Sequence, residues 1–158
     1  MQFRIAAPLA LAAAIVSTSV FADDTKPVLT LATAKKIAEG CEAKAAKEGW
    51  KMNIAIMDDG GNLKYFARQD DSFLVSIKVA QLKAGTSASL PLSTRKLGEI
   101  SKSVQGIELV PGVVIFAGGL PIMKGGKQIG GLGVSGASAD QDEACAQAGL
   151  DNAADLLK

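Results

Sequence analysis

Histidine is absent from this 158-residue chain, and no other omission removes as much chemistry. Without it there is no Ser-His-Asp or Cys-His activation of a nucleophile, no imidazole metal site, and none of the commonest haem ligand. Aromatic residues are scarce at 4%, and no basic stripe interleaves with them, which argues against nucleic-acid binding. An excess of one charge is also missing, since 17 Lys and Arg face 16 Asp and Glu. Only two cysteines occur, Cys41 and Cys145, which is fewer ligands than a zinc site needs. The apolar run from Ile5 to Val16 is shorter than the about 20 residues of a membrane span. No cationic amphipathic helix points to a membrane surface, so stable membrane insertion is not expected.

What is present begins with an export signal. Arg4, the Ile5–Val16 run and the small residues Val20 and Ala22 fit a signal peptide over 1–22 with cleavage after Ala22. The expected mature chain is one domain over 23–158, placed in the periplasm or secreted, with Arg4 gone and charges balanced at 16 each. In an oxidising compartment Cys41 and Cys145 can pair, or they can stay as two buried thiols. Composition leaves both open.

Along the mature chain, Thr30 caps a first helix whose apolar stripe is Leu31, Ala34, Ala38, Cys41 and Ala45, and Gly49 ends it. Two strand-like runs, Met52–Met57 and Leu63–Arg68, flank Asp58-Asp59-Gly60-Gly61-Asn62, which is hairpin-turn chemistry. A helix follows with Phe73, Ile77, Ala80 and Ala84 on one side, and Ser93 or Thr94 starts a short helix through Ile100. VVIFAGG, PIMKGGKQIG and GLGVSG then predict a three-strand meander around Lys124-Gly125-Gly126-Lys127. Ser138 and Gln141 form a capping box for a last helix. The order α-β-β-α-α-β-β-β-α implies an α+β fold, a five-stranded antiparallel sheet with helices packed on it.

Gly131, Gly133 and Gly136 spell G-x-G-x-x-G, the fingerprint of a dinucleotide site. A Rossmann unit also needs a second parallel strand with an acidic residue about 20 positions on. The last helix takes up the 22 residues after Gly136, so that reading fails. Two others remain for these glycines: close packing of the last helix on the sheet, or a flat ligand lying on bare strand surface.

Four ordered blocks carry a resemblance. LTLATAKKIAEGCEAKAAKEG, MNIAIMDDGGNLKYFARQDD, SIKVAQLKAGTS and PGVVIFAGGLPIMKGGKQIGGLGVSGASADQDEACAQAGL are similar to the GlcG/HbpS-like haem-binding family, related to the C-terminal domain of PduO-type corrinoid adenosyltransferases. The resemblance implies a profilin-like fold, homo-oligomers and, in secreted members, haem binding, redox sensing and iron binding through acidic D/E-x-x-E pairs. Its KAxT element falls on Lys83-Ala84-Gly85-Thr86, with Thr86 in the haem-proximal place, and Asp140 and Glu143 take the D-x-x-E spacing. Carboxylates in a first helical turn also suit the helix dipole without any metal. A profilin-like arrangement sets the first and last helices side by side, which implies a Cys41–Cys145 disulfide.

The histidine that holds haem in other members has no counterpart here, which leaves Thr86, Tyr65, Met52, Met57 and Met123 as candidate iron ligands. Expected cofactor contacts are therefore Thr86, Lys83, Tyr65, Gly131 and Gly133, with Lys78 and Lys83 available to a ligand's carboxylates. An exported haem or small-molecule binding protein is the leading reading. An enzyme of unknown reaction and a ligand-free oligomeric interaction module are the alternatives. No catalytic set is assigned, because Asp58 and Asp59 read as turn residues and Lys83 lacks a recognisable partner.

Overall fold

In the computed structural model, residues 25–158 are described; the expected signal peptide lies outside the described residues. The first helix, α1 (Leu31–Glu48), forms where it was expected. The Thr30 hydroxyl accepts the Thr33 N–H, and Gly49 closes the other end at a φ of 73°, which costs a glycine no Cβ clash. Ala34, Ala38, Cys41 and Ala45 are buried with Ile37, while Leu31 stays exposed on the first turn.

Strands β1 (Asn53–Asp58) and β2 (Leu63–Arg68) make the predicted hairpin. In its turn the Asp58 carboxylate accepts the Gly60 and Asn62 N–H groups, and Gly61 supplies a φ of 76°. Helices α2 (Leu74–Ser89) and α3 (Thr94–Ser101) follow, then strands β3 (Gly119–Lys124) and β4 (Lys127–Ser135). Gly125 and Gly126, at φ 54° and 77°, provide the two positive angles of that tight turn. The last helix, α4 (Ala139–Asn152), carries the full Ser138/Gln141 capping box.

The sheet has four strands in the order β2-β1-β4-β3, all antiparallel, and this corrects the expected five. PIMK and KQIGGLGVS are the two arms of one hairpin, and most of VVIFAGG lies outside the sheet. Before β3, Val114 N–H donates to the Thr86 hydroxyl, and at the first residue of β3 Gly119 N–H donates to that of Thr94. The segment meets the sheet at its end, where Gly118 O accepts the Val134 N–H (2.8 Å).

Each sheet face has its own cover. Ile54, Ile56, Leu120, Ile122, Leu132 and Val134 form one core with α1 and α4. Those two helices lie side by side, close enough that a Cβ on Gly40 would stand 2.6 Å from Ala148 O. Cys41 and Cys145, with Cα atoms 4.6 Å apart, are joined there by a disulfide. On the other face Ala55 meets Ala80 and Ala84 of α2. None of the helices among the described residues is long and apolar enough to cross a membrane.

Candidate functional site

Gly131 and Gly133 point at the α2 side of the sheet. A Cβ on Gly133 would fall onto Ala80 O and Ala84 N, and one on Gly131 onto Ala84 O and Ala88 N. The bare strand surface is therefore filled by α2, not left open to a flat ligand or packed by the last helix. Both earlier readings of these glycines are corrected by the same fact: four-residue steps of alanine let a helix backbone sit directly on the strand.

Lys83 is placed differently from expectation as well. Its side chain is 0% exposed, and its ammonium donates to Asp142 Oδ2 (2.7 Å) and Val134 O (2.9 Å) beneath the Phe116 ring. Asp142 is 4% exposed and also accepts the Ala137 N–H. Burial pulls the lysine below its ordinary range and pushes the carboxyl above its own, while the pairing opposes both. An amine so engaged does not reach a ligand's carboxylate. Lys78 is exposed, but it lies eight residues before Thr86, about 12 Å along the helix.

Asp140 and Glu143 do come together, around Arg95 of α3. The guanidinium donates to Asp140 Oδ1 (2.6 Å) and to both Glu143 oxygens (3.0 Å each). Any metal would have to displace this cation. Among the described residues there is no cluster of three or more His, Cys, Asp or Glu that could hold a metal ion. Nothing within a few residues of Asp140 or Asp142 signals Arg95 or Lys83, which lie 45 and 59 positions away.

Thr86 is buried, and its hydroxyl is committed to the backbone. It donates to Leu82 O (2.9 Å), with Gly112 O also within reach (3.3 Å), and accepts the Val114 N–H (3.0 Å). These bonds tie α2 to the loop before β3 and form one wall of a cleft of about 310 Å³. Its lining includes Gly61, Gly85, Thr86, Ser89, Gly112 and Val113, and no lining residue is charged. A Cβ on Gly61 or Gly112 would meet nothing within 4 Å, so their bareness leaves open space. A larger hollow of about 380 Å³ is lined by Arg95, Glu99, Lys102 and Phe116 among others, and its charges suit a flat apolar ligand less well.

Tyr65 and Met52 do not join Thr86. Both pack with the core on the α1–α4 side of the sheet. Met123 lies on β3, at the sheet edge remote from the β1–β2 hairpin. Met57, at the end of β1, packs with Ala55, Ala80 and Ala84 on the α2 side.

The family described as haem degrading protein HbpS-like matches residues 29–151. An uncharacterized 15.0 kDa protein from the dhaT-dhaS intergenic region of Citrobacter freundii is 38% identical over 78% of this chain and 90% of its own. Protein GlcG of Escherichia coli K12 is 32% identical over 70% and 84%. Among solved structures, a double mutant of Streptomyces reticuli HbpS superposes with a TM-score of 0.76 at 32% identity, over 94% of this chain and 97% of the other. A PduOC:heme complex gives 0.76 at 28% identity, over 80% and 95%.

Proposed function

We propose that this chain, which belongs to the HbpS-like family, is an exported haem-binding protein whose cleft beside Thr86 takes the edge of the macrocycle. The observation that carries the reading is that cleft: uncharged, walled by Gly61, Gly85 and Gly112, and placed where the KAxT threonine falls. At about 310 Å³ it is at the small end of ligand sites, so part of a tetrapyrrole would stay outside it. Haem would bring the iron's redox chemistry; the chain would bring an uncharged cleft and the hydroxyl-anchored loop that borders it. Relatives support the ligand, since one of the superposable structures is a haem complex.

Export is supported by the signal-like residues 1–22 and by a disulfide, a bond that persists in oxidising compartments. Assembly into homo-oligomers is supported by Phe73, Leu74 and Val75, three successive apolar residues exposed by 68%, 73% and 71% at the start of α2. Titration with haemin tests the ligand. A saturable Soret shift at one haemin per chain is expected, and non-saturating broadening refutes the reading. Secreted material should begin at Asp23; secreted protein that still begins at Met1 refutes cleavage after Ala22.

A further inference from the structure

We infer that Leu109 and Val110 are ligand-contacting residues: the segment from Gly106 to Gly112 is a flap that folds over the part of a flat apolar ligand left outside the cleft. The inference rests on the haem reading above and adds the side chains that cover what the cleft does not enclose.

Pro111, Gly112 and Val113 line one side of the cleft, so the chain just before them stands at its rim. That stretch carries apolar side chains turned to water. Leu109 is 79% exposed and Val110 50%, and Val110 directly precedes the lining residue Pro111. A cleft of about 310 Å³ admits an edge of a macrocycle and leaves much of its apolar surface wet. Two aliphatic side chains at the rim match that surface in chemistry, and contact between them removes both from water.

The segment is also loosely held. No residue between Leu97 and Val114 is buried. Its backbone bonds are local, from Leu109 N–H to Gly106 O, from Val110 N–H to Ile107 O and from Val113 N–H to Val110 O. Firm ties lie beyond each end: Ile100 O accepts the Ser103 and Val104 N–H groups, and the Thr86 hydroxyl accepts the Val114 N–H. Little burial and short-range bonding mark a segment that opens at small cost.

Glycines stand at both ends of it. Gly106 and Gly112 have φ of 93° and 86°, and a Cβ on either would meet nothing within 4 Å. Space does not require glycine at these places, but the left-handed angle favours it, and glycine leaves that angle as easily as it adopts it. Two such joints around the single 3-10 turn Ile107–Leu109 make a hinged piece whose apolar tip lies next to the cleft.

Hydrogen exchange and haemin titration on the full-length protein test this. Residues 106–112 should exchange fast in the free protein and slow at haemin saturation. The double variant Leu109→Ser, Val110→Ser should weaken haemin binding about tenfold and leave the urea midpoint unchanged, because both side chains are exposed in the free fold. Val104→Ser, a change of an equally exposed valine outside the hinge, should bind like the parent. Parental affinity in the double variant, unchanged exchange over 106–112, or equal weakening by Val104→Ser overturns the flap while the haem reading stands. If the parent itself shows no saturable binding, both fall.

Discussion

The buried Lys83–Asp142 pair gives the sharpest test of the packing. With the two side chains 0% and 4% exposed, removing one partner strands the other in a medium that disfavours its charge. Asp142→Leu leaves an ammonium with Val134 O, the Phe116 ring and the more distant charge of Glu143. That ammonium can escape by deprotonating. From an ordinary lysine pKa of about 10.4 to pH 7 is about 3.4 pH units, at about 1.36 kcal/mol each, so the charge term has a ceiling of about 4.6 kcal/mol. Measured losses for broken buried pairs, about 3–5 kcal/mol, fall in the same range. The sign then follows. Once Lys83 is neutral in the folded variant but still protonated when unfolded, the unfolded state binds the extra proton and stability rises with pH. The deficit of Asp142→Leu should shrink by about 1.36 kcal/mol per pH unit between pH 7 and about 10. Lys83→Met leaves the lone carboxylate, which takes up a proton on folding, so its deficit should shrink as pH falls from 7 toward 4. The double variant should lack both slopes and lie near the parent or above it, since well-packed apolar replacements often match a buried pair. Urea unfolding across pH reads all three. A pH-independent deficit for Asp142→Leu would mean that no buried ammonium is left behind, and the reasoning would be refuted.

Three further outcomes follow from the packing. Replacing Cys41 and Cys145 together by alanine should cost about 2–5 kcal/mol in urea unfolding, because the bond spans 104 positions and constrains a long loop of the unfolded chain; parity with the parent would overturn this. Gly133→Ala drives a methyl into the α2 backbone and should cost about 1–3 kcal/mol or more, whereas a midpoint within error of the parent would show that α2 can lift away. Thr86→Val removes the acceptor for Val114 N–H and should cost about 1–3 kcal/mol and weaken haemin binding, with Thr86→Ser restoring both; if Thr86→Ser behaves like valine, the hydroxyl is not what holds the loop.

How much was legible in the sequence depended on distance along the chain. Thr30 and Gly49 bounded α1, Asp58 to Asn62 turned the first hairpin, Gly125-Gly126 turned the second, and Ser138 with Gln141 opened α4. Each of these rests on hydrogen bonds or backbone angles within about four residues, so neighbouring side chains suffice to specify it. The disulfide was implied only through the resemblance, because nothing local to Cys41 or Cys145 names its partner 104 positions away.

Tertiary structure decided the rest. Val113 to Gly118 has strand composition, yet hydroxyls of α2 and α3 take up backbone donors on either side of Phe116, and propensity yields to bonds that only packing supplies. The glycines of β4 read equally as a ligand platform or a packing device until α2 was seated on them. Lys83 looked available until Asp142 and Phe116 enclosed it. A sequence records which groups a chain owns and how its nearest neighbours bend it. Which group meets which across 45 or 59 residues depends on how helices settle on the two faces of the sheet, and that is settled by side-chain volume and burial summed over the whole core.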